Sequence, residues 1–281
     1  MLKFGISLFF TDYSIGPREL AQELEVRGFE SVWSGEHSHI PAAMKTPFPG
    51  DGGIKKHYFD VMDPFVTLTA AAMATKTLKI GTGVCLIPQR DTIQTAKLVA
   101  SIDQVSNGRF LFGVGNGWNQ EEIENHGTPF ATRHQRARES IEAMKQIWTQ
   151  SKAEYHGEFV NFDPMMTWPK PVTRPHPPVL VGGSFPYSAR RAIRYGDGWL
   201  PSAPKGSRDI LAIIPRFRQM AAEAGRDPDS LPVTAWYPPQ DLNLMKRYRD
   251  LGVERVVFTV PSAPAETVLP VLDAIGALMR G

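Results

Sequence analysis

Short runs of β-branched and aromatic residues alternate with amphipathic helical patterns along the whole chain, and that alternation leaves few folds open. The first run is Phe4 to Phe9, followed by Pro17 to Arg27, where Leu20 and Leu24 share a face and Gly28 marks the stop. Ser31 to Ser34 is the second strand. Asp63-Pro64, an N-cap followed by proline in the first turn, opens a helix that reaches Thr75. Leu78 to Leu86 reads as the third strand, and its helix runs from Asp91 to an Asn107-Gly108 stop. Further strands are expected at Arg109 to Val114, Pro178 to Gly182, Trp199-Leu200, Val233 to Trp236 and Arg255 to Val260. A helix falls near Arg133 to Gln150, and the last one reaches Met279.

About eight βα units without a linker predict an α/β fold of the closed (β/α)8 TIM-barrel type, rather than an open doubly wound sheet. A chain of 281 residues suits one such domain, residues 1–281. The rhythm breaks after the fourth unit: approximately residues 151–177, with "AEYHGEFVNF" and a proline-rich return, read as an inserted hairpin. A net charge of +2 gives no sign of a nucleic-acid surface. The apolar patch in "MLKFGISLFF" is too short for a membrane span and lacks a cleavage site, so a cytoplasmic protein without membrane attachment is expected. The single Cys85 excludes an internal disulfide and a multi-cysteine metal site, and reads as a small strand filler.

A barrel of this kind carries its chemistry at the C-terminal ends of its strands. Strand 2 ends in Glu36, His37 and His39. A histidine beside a carboxylate at a strand end reads as a proton donor or ring contact, while His39, deeper in the loop, reads as a surface or pocket residue. Strand 3 ends in Gly83, Val84 and Cys85. Strand 4 ends in "GVGNGWNQEE", which is no dinucleotide fingerprint because Trp118 stands where the last glycine would be. Strand 5 ends in "VGGS", where Gly182 and Gly183 let backbone N–H groups approach a ligand and Ser184 can cap the next helix, a pattern that suits a phosphate. Trp118 and Trp199 are lid or core aromatics.

"GFESVWSGEH", "TKTLKIGTGV", "SNGRFLFGVGNGW" and "VGGSFPYSARRAIRYGDGWL" together resemble the bacterial-luciferase-like superfamily of flavin- and deazaflavin-dependent oxidoreductases. The acidic residue directly before His37 is most similar to the deazaflavin-dependent branch. The resemblance implies a barrel, often homodimeric, that binds coenzyme F420, or alternatively flavin mononucleotide (FMN), across its mouth. It implies His37 near the reactive ring edge, with Glu36 supporting it or taking part in acid–base exchange. Gly83 and Val84 would form a bulge bracing the ring, at a place where the family sometimes has a non-prolyl cis peptide. Asn116 would reach the ribityl chain or ring edge, and Gly182, Gly183 and Ser184 would hold the phosphate.

The expected reaction is hydride transfer to or from a small organic substrate. The alternative is an FMN monooxygenase fed by a separate reductase. Lys205 and Arg208 are candidates for a poly-acidic coenzyme tail, and the loop from 38 to 62 carries no substrate signature. His37-Ser38-His39 also allows a metal-dependent hydrolase, although strands 7 and 8 offer no further ligand and the expected set of metal ligands is none. A non-catalytic cofactor-binding protein is the remaining reading.

Overall fold

The computed structural model describes residues 1–50, 52–202 and 210–280. The chain begins with β1 (Lys3–Leu8), α1 (Pro17–Val26) and β2 (Ser31–Ser34), then a long loop holding one turn, α2 (His57–Asp60). Next come α3 (Pro64–Ala74), β3 (Lys79–Thr82), β4 (Cys85–Leu86), α4 (Thr92–Val105), β5 (Phe110–Gly115), α5 (Gln120–Asn125) and α6 (Arg133–Thr149). A hairpin, β6 (Ala153–His156) and β7 (Asn161–Met165), precedes β8 (Val179–Gly183), α7 (Tyr187–Tyr195), β9 (Gly198–Pro201) and α8 (Ile210–Glu223). β10 (Thr234–Trp236), α9 (Leu242–Asp250), β11 (Arg255–Thr259) and α10 (Ala265–Leu278) complete it.

Among the described residues, eight parallel strands run in the order β10-β11-β1-β2-β3-β5-β8-β9, with β4 paired to β5. A parallel bridge between Trp199 and Val233 joins the two ends of the row, so the sheet is an α/β barrel as the βα count predicted. Each strand has two buried faces, which explains why the strands read as continuous apolar runs rather than alternating ones. Val32, Phe110, Phe112, Val179, Val181, Val256 and Phe258 belong to the cluster that includes the helix residues Leu20, Leu68, Val99, Trp148 and Leu272. Their neighbours Trp33, Leu111, Leu180 and Val257 join Leu200 and Trp236 in a second cluster that fills the barrel interior. The period of two between the clusters is the pleat of the strands.

The expected third strand is two pieces. The peptide bond between Gly83 and Val84 is cis, and β3 stops before it while β4 resumes after it. Two short helices were not anticipated: α2 within the loop from 38 to 62, and α5 after β5. The second had a readable signal, since Asn119 caps it with Glu122 three residues on.

At the opposite end from the strand C-termini, Arg255 is fully buried. It donates Nε and Nη2 to the two oxygens of Glu30 (2.6 and 2.7 Å) and Nη1 to Thr234 (3.1 Å). The guanidinium thereby joins β11, β10 and the approach to β2. Burial drives the Glu30 carboxyl up, but the Arg255 hydrogen bonds and charge outweigh this and hold it below the usual carboxylate range. Glu30→Ala leaves the buried Arg255 with only the longer Glu254 contact (3.4 Å) as counter-charge and is expected to cost roughly 3–5 kcal/mol of stability in urea unfolding. A loss below about 1 kcal/mol would show that water reaches Arg255.

Candidate active site

The strand C-termini meet at one mouth. β2 runs on to His37, whose Nδ1 donates to Oε2 of Glu122 (2.8 Å), while Oε1 of Glu122 accepts the Ser38 N–H (3.1 Å). The side chains of His37 and Glu122 are 5% and 1% exposed. Burial alone would raise the Glu122 carboxyl; the hydrogen bond and charge of His37, then the Ser38 N–H, reverse that and hold it below its ordinary 4.5. With Nδ1 committed as a donor, the tautomer is fixed and Nε2 is the free nitrogen. No partner of Nε2 lies among the described residues.

The carboxylate hydrogen-bonded to His37 is therefore Glu122, not its sequence neighbour Glu36. Glu36 accepts Arg90 Nε (2.6 Å) and the Leu86 N–H (2.6 Å) and is also bound by Arg90 Nη2. Arg90 reaches on to Asp63 (2.8 Å), the N-cap of α3. This network fixes β4 just beyond the cis bond, so Glu36 orders the turn at Gly83-Val84. Val84 projects across the mouth: a Cβ on Gly115 would stand 2.4 Å from its Cγ2, and one on Gly182 would stand 3.0 Å from its Cγ1. Val84 thus caps the interior cluster between the ends of β5 and β8.

α5 does a second job. Glu121, next to Glu122, accepts Thr46 Oγ1 (2.6 Å), the Lys45 N–H (2.8 Å) and the Thr46 N–H (3.2 Å). Those hydrogen bonds, the Thr46 hydroxyl first, pull its carboxyl down to about 2. The loop from 38 to 62 is thereby clamped to the helix that holds His37.

Across the mouth, β8 ends at Gly182 and Gly183. Gly183 has φ +125°, and a Cβ there would come 3.3 Å from Ser188 Cβ and 3.4 Å from an Arg191 guanidinium nitrogen. Only glycine occupies that conformation without strain. Ser184 does not cap α7; instead Ser188 Oγ donates to the carbonyls of Gly183 (2.6 Å) and Ser184 (3.1 Å). The Nε atoms of Arg191 and Arg133 are buried and have no hydrogen-bond partner among the described residues. Burial lowers both guanidinium groups, and the charge of Arg191 lowers Arg133 further. Asn116 donates Nδ2 to Nδ1 of His134 (2.6 Å); burial and then the charges of Arg133 and Arg191 pull His134 down to about 4. Among the described residues the end of β8 is thus a glycine turn beside cations short of counter-charge, a setting that an anion would relieve. Sequence reading missed Arg133 and Arg191, since an arginine on an amphipathic helix looks like any solvated charge.

Other candidates fall elsewhere. Both ring nitrogens of His39 are taken, by Ser38 Oγ (2.9 Å) and Asn125 Nδ2 (2.8 Å). Among the described residues no group of three His, Cys, Asp or Glu side chains is placed to hold a metal ion. Trp118 lies beside His37 (5.8 Å between rings), whereas Trp199 is buried and donates to Ser188 (2.9 Å). Cys85 is buried in the barrel wall. Lys205 and Arg208 lie outside the described residues. No helix among the described residues is long and apolar enough to cross a membrane.

A parallel barrel whose mouth pairs a carboxylate-locked histidine with a cationic glycine turn is that of a cofactor-using α/β-barrel enzyme. The chain belongs to the luciferase-like monooxygenase family, whose pattern matches residues 17–239, and it is an oxidoreductase of that class. An uncharacterised protein of Mycobacterium tuberculosis is 36% identical over 286 residues, covering 98% of each chain. The F420-dependent hydroxymycolic acid dehydrogenase of the same organism is 31% identical over 216 residues, covering 75% of this chain and 55% of that one. An FMNH2-dependent dimethylsulfone monooxygenase of Pseudomonas putida is 34% identical over 164 residues, 57% of this chain and 45% of that one.

Proposed function

We propose that the protein is a coenzyme F420-dependent oxidoreductase that moves a hydride between the deazaflavin and a small organic alcohol or ketone. The observation that carries this reading is His37 held by buried Glu122 as a fixed tautomer, with Nε2 free at the barrel mouth. The residues present fit a phosphorylated flavin-like cofactor. Gly183 leaves the space that a Cβ would fill, and Arg191 and Arg133 carry orphaned buried Nε atoms that suit an anion. Gly182, Gly183, Ser184 and Arg191 would hold the phosphate, Asn116 the polyol, and Gly83 and Val84 the ring.

When bound, such a ring supplies the hydride acceptor or donor. The chain's own part is positional and protic. In the oxidising direction, Nε2 of His37 takes the substrate hydroxyl proton, and the Glu122 carboxylate stabilises the imidazolium across Nδ1–H. In the reducing direction the imidazolium returns that proton to the new alkoxide oxygen. The proposal includes a cytoplasmic homodimer.

The FMN-dependent relative supports a second reading, in which reduced FMN from a separate reductase serves oxygen chemistry at the same mouth. Fluorescence titration of the purified protein with oxidised F420 and with oxidised and reduced FMN decides between them. Tight F420 binding is expected. Preference for reduced FMN would install the monooxygenase reading, and binding of none would sink both.

A further inference from the structure

Four rings at the mouth touch in a closed circuit. His37 lies 5.2 Å from Tyr58, Tyr58 5.3 Å from Phe48, Phe48 5.5 Å from Trp118, and Trp118 5.8 Å from His37. They come from separate places: the end of β2, the loop from 38 to 62, α2 and the turn after β5. Phe48 stands edge-on to both Tyr58 and Trp118, at 83° and 76°. Phe9 backs Tyr58 at 4.9 Å. Adjacent rings are in contact, so they leave no gap between them and form a continuous aromatic wall around the imidazole.

The charges nearest this wall are already used. Glu122 serves His37 and Ser38; Glu36 serves Arg90 and Leu86; Arg90 serves Glu36 and Asp63. Among the described residues a substrate carboxylate or phosphate would meet no free cation there, and a substrate ammonium no free anion, so either would lose its hydration without replacement. Among the described residues the wall's own rings keep three polar handles, Nε2 of His37, the Tyr58 hydroxyl and the Trp118 indole N–H, and the His57 ring, which burial and then the charge of Lys55 hold below its ordinary value, stacks on Tyr58 at 5.0 Å. Burial, and next the neighbouring Tyr237, push the Tyr58 phenol up to about 12, so it stays a donor at neutral pH. His37 accepts while Tyr58 and Trp118 donate, which matches a single alcohol or carbonyl oxygen.

We propose that this aromatic wall is the substrate surface and that it selects an uncharged, ring-bearing alcohol or ketone, whose oxygen meets His37 and Tyr58 while its ring lies against Phe48 and Trp118. The inference rests on the assignment of His37 above and adds the substrate class. A bound 1-phenylethanol would give its hydroxyl proton to Nε2 and its carbinol hydride to oxidised F420, leaving acetophenone, reduced cofactor and imidazolium.

The test is ligand-observed NMR titration of the full chain, with and without F420, using acetophenone, 1-phenylethanol, 4-acetylbenzoate and phenyltrimethylammonium as probes. The two neutral probes are expected to bind, and the charged ones to bind at least about 100-fold more weakly. Phe48→Ala should weaken the neutral probes about five- to tenfold, the scale of one aromatic contact, and leave F420 affinity unchanged. Phe48→Leu, which keeps bulk without a ring, should weaken them similarly and provides the reading should the alanine variant unfold. Equal binding of either charged probe, no binding of the neutral ones in both cofactor states, or unaltered binding in a folded Phe48 variant would overturn the proposal. Failure of the cofactor reading is separate: it appears as absent F420 binding, while the probe titration on the cofactor-free chain still reports on the wall.

Discussion

His37→Ala is expected to lower kcat by about 10²–10⁴-fold, the usual contribution of a positioned general acid–base, while F420 affinity changes by no more than a few-fold. The reason is geometric. His37 offers one free nitrogen because Glu122 takes the other, and Glu36 is bound away by Arg90 and Leu86. Single-turnover measurement with 1-phenylethanol and oxidised F420 checks it, and a loss under about tenfold would remove His37 from proton transfer. Glu122 acts through His37, so Glu122→Gln should cost less, about 10–100-fold, with Glu122→Asp recovering part of it.

A second readout isolates the charge of Glu122. Its folded-state value lies below its ordinary one, so its stabilising contribution is full above about pH 4.5 and is lost as the pH falls through the lowered value. Wild type should therefore exceed Glu122→Gln by about 1–2 kcal/mol in urea unfolding at pH 7, with the difference closing in strong acid. A gap that does not change with pH would mean that packing, not the charged hydrogen bond, is what the substitution removes.

Gly183→Asp is expected to abolish cofactor binding, weakening it by about 10²–10³-fold or more. The backbone at φ +125° excludes a side chain without strain, roughly 1–3 kcal/mol, and the new Cβ would press on Ser188 and the Arg191 guanidinium. The added carboxylate would also pair with Arg191 and so take the cation proposed to hold the phosphate, removing a further charge-assisted contact of about 1.5–3 kcal/mol. Comparing F420 titrations of wild type and variant measures this, with thermal unfolding as the control for folding. Undiminished binding by a folded variant would move the phosphate away from the end of β8.

Particular residues show why some of this was readable in advance. The barrel was legible because its eight parallel strands are buried on two faces, so each wrote a compact apolar run followed by a helical period. The placing of His37 and of the Gly182-Gly183 turn at the barrel mouth was legible because both follow directly on a buried apolar run. Glu122 was visible within "GNGWNQEE" but could not be linked to His37, 85 positions away, without the fold. Arg133 and Arg191 gave no local sign, since their lack of counter-charge depends on what packs around them. Phe48 and Tyr58 sit in a loop without period, and a circuit of rings drawn from four separate segments leaves no pattern along the chain.

Because Glu121 and Glu122 are adjacent on α5, the loop from 38 to 62 and His37 share one support. Homologous recombination or laboratory grafting that swaps this loop alone would import a segment without its carboxylate anchor and would tug on the turn that orients the imidazole. Residues 38–62 and 118–126 therefore form one inheritable cassette, and a change of substrate range by exchange has to carry both pieces together.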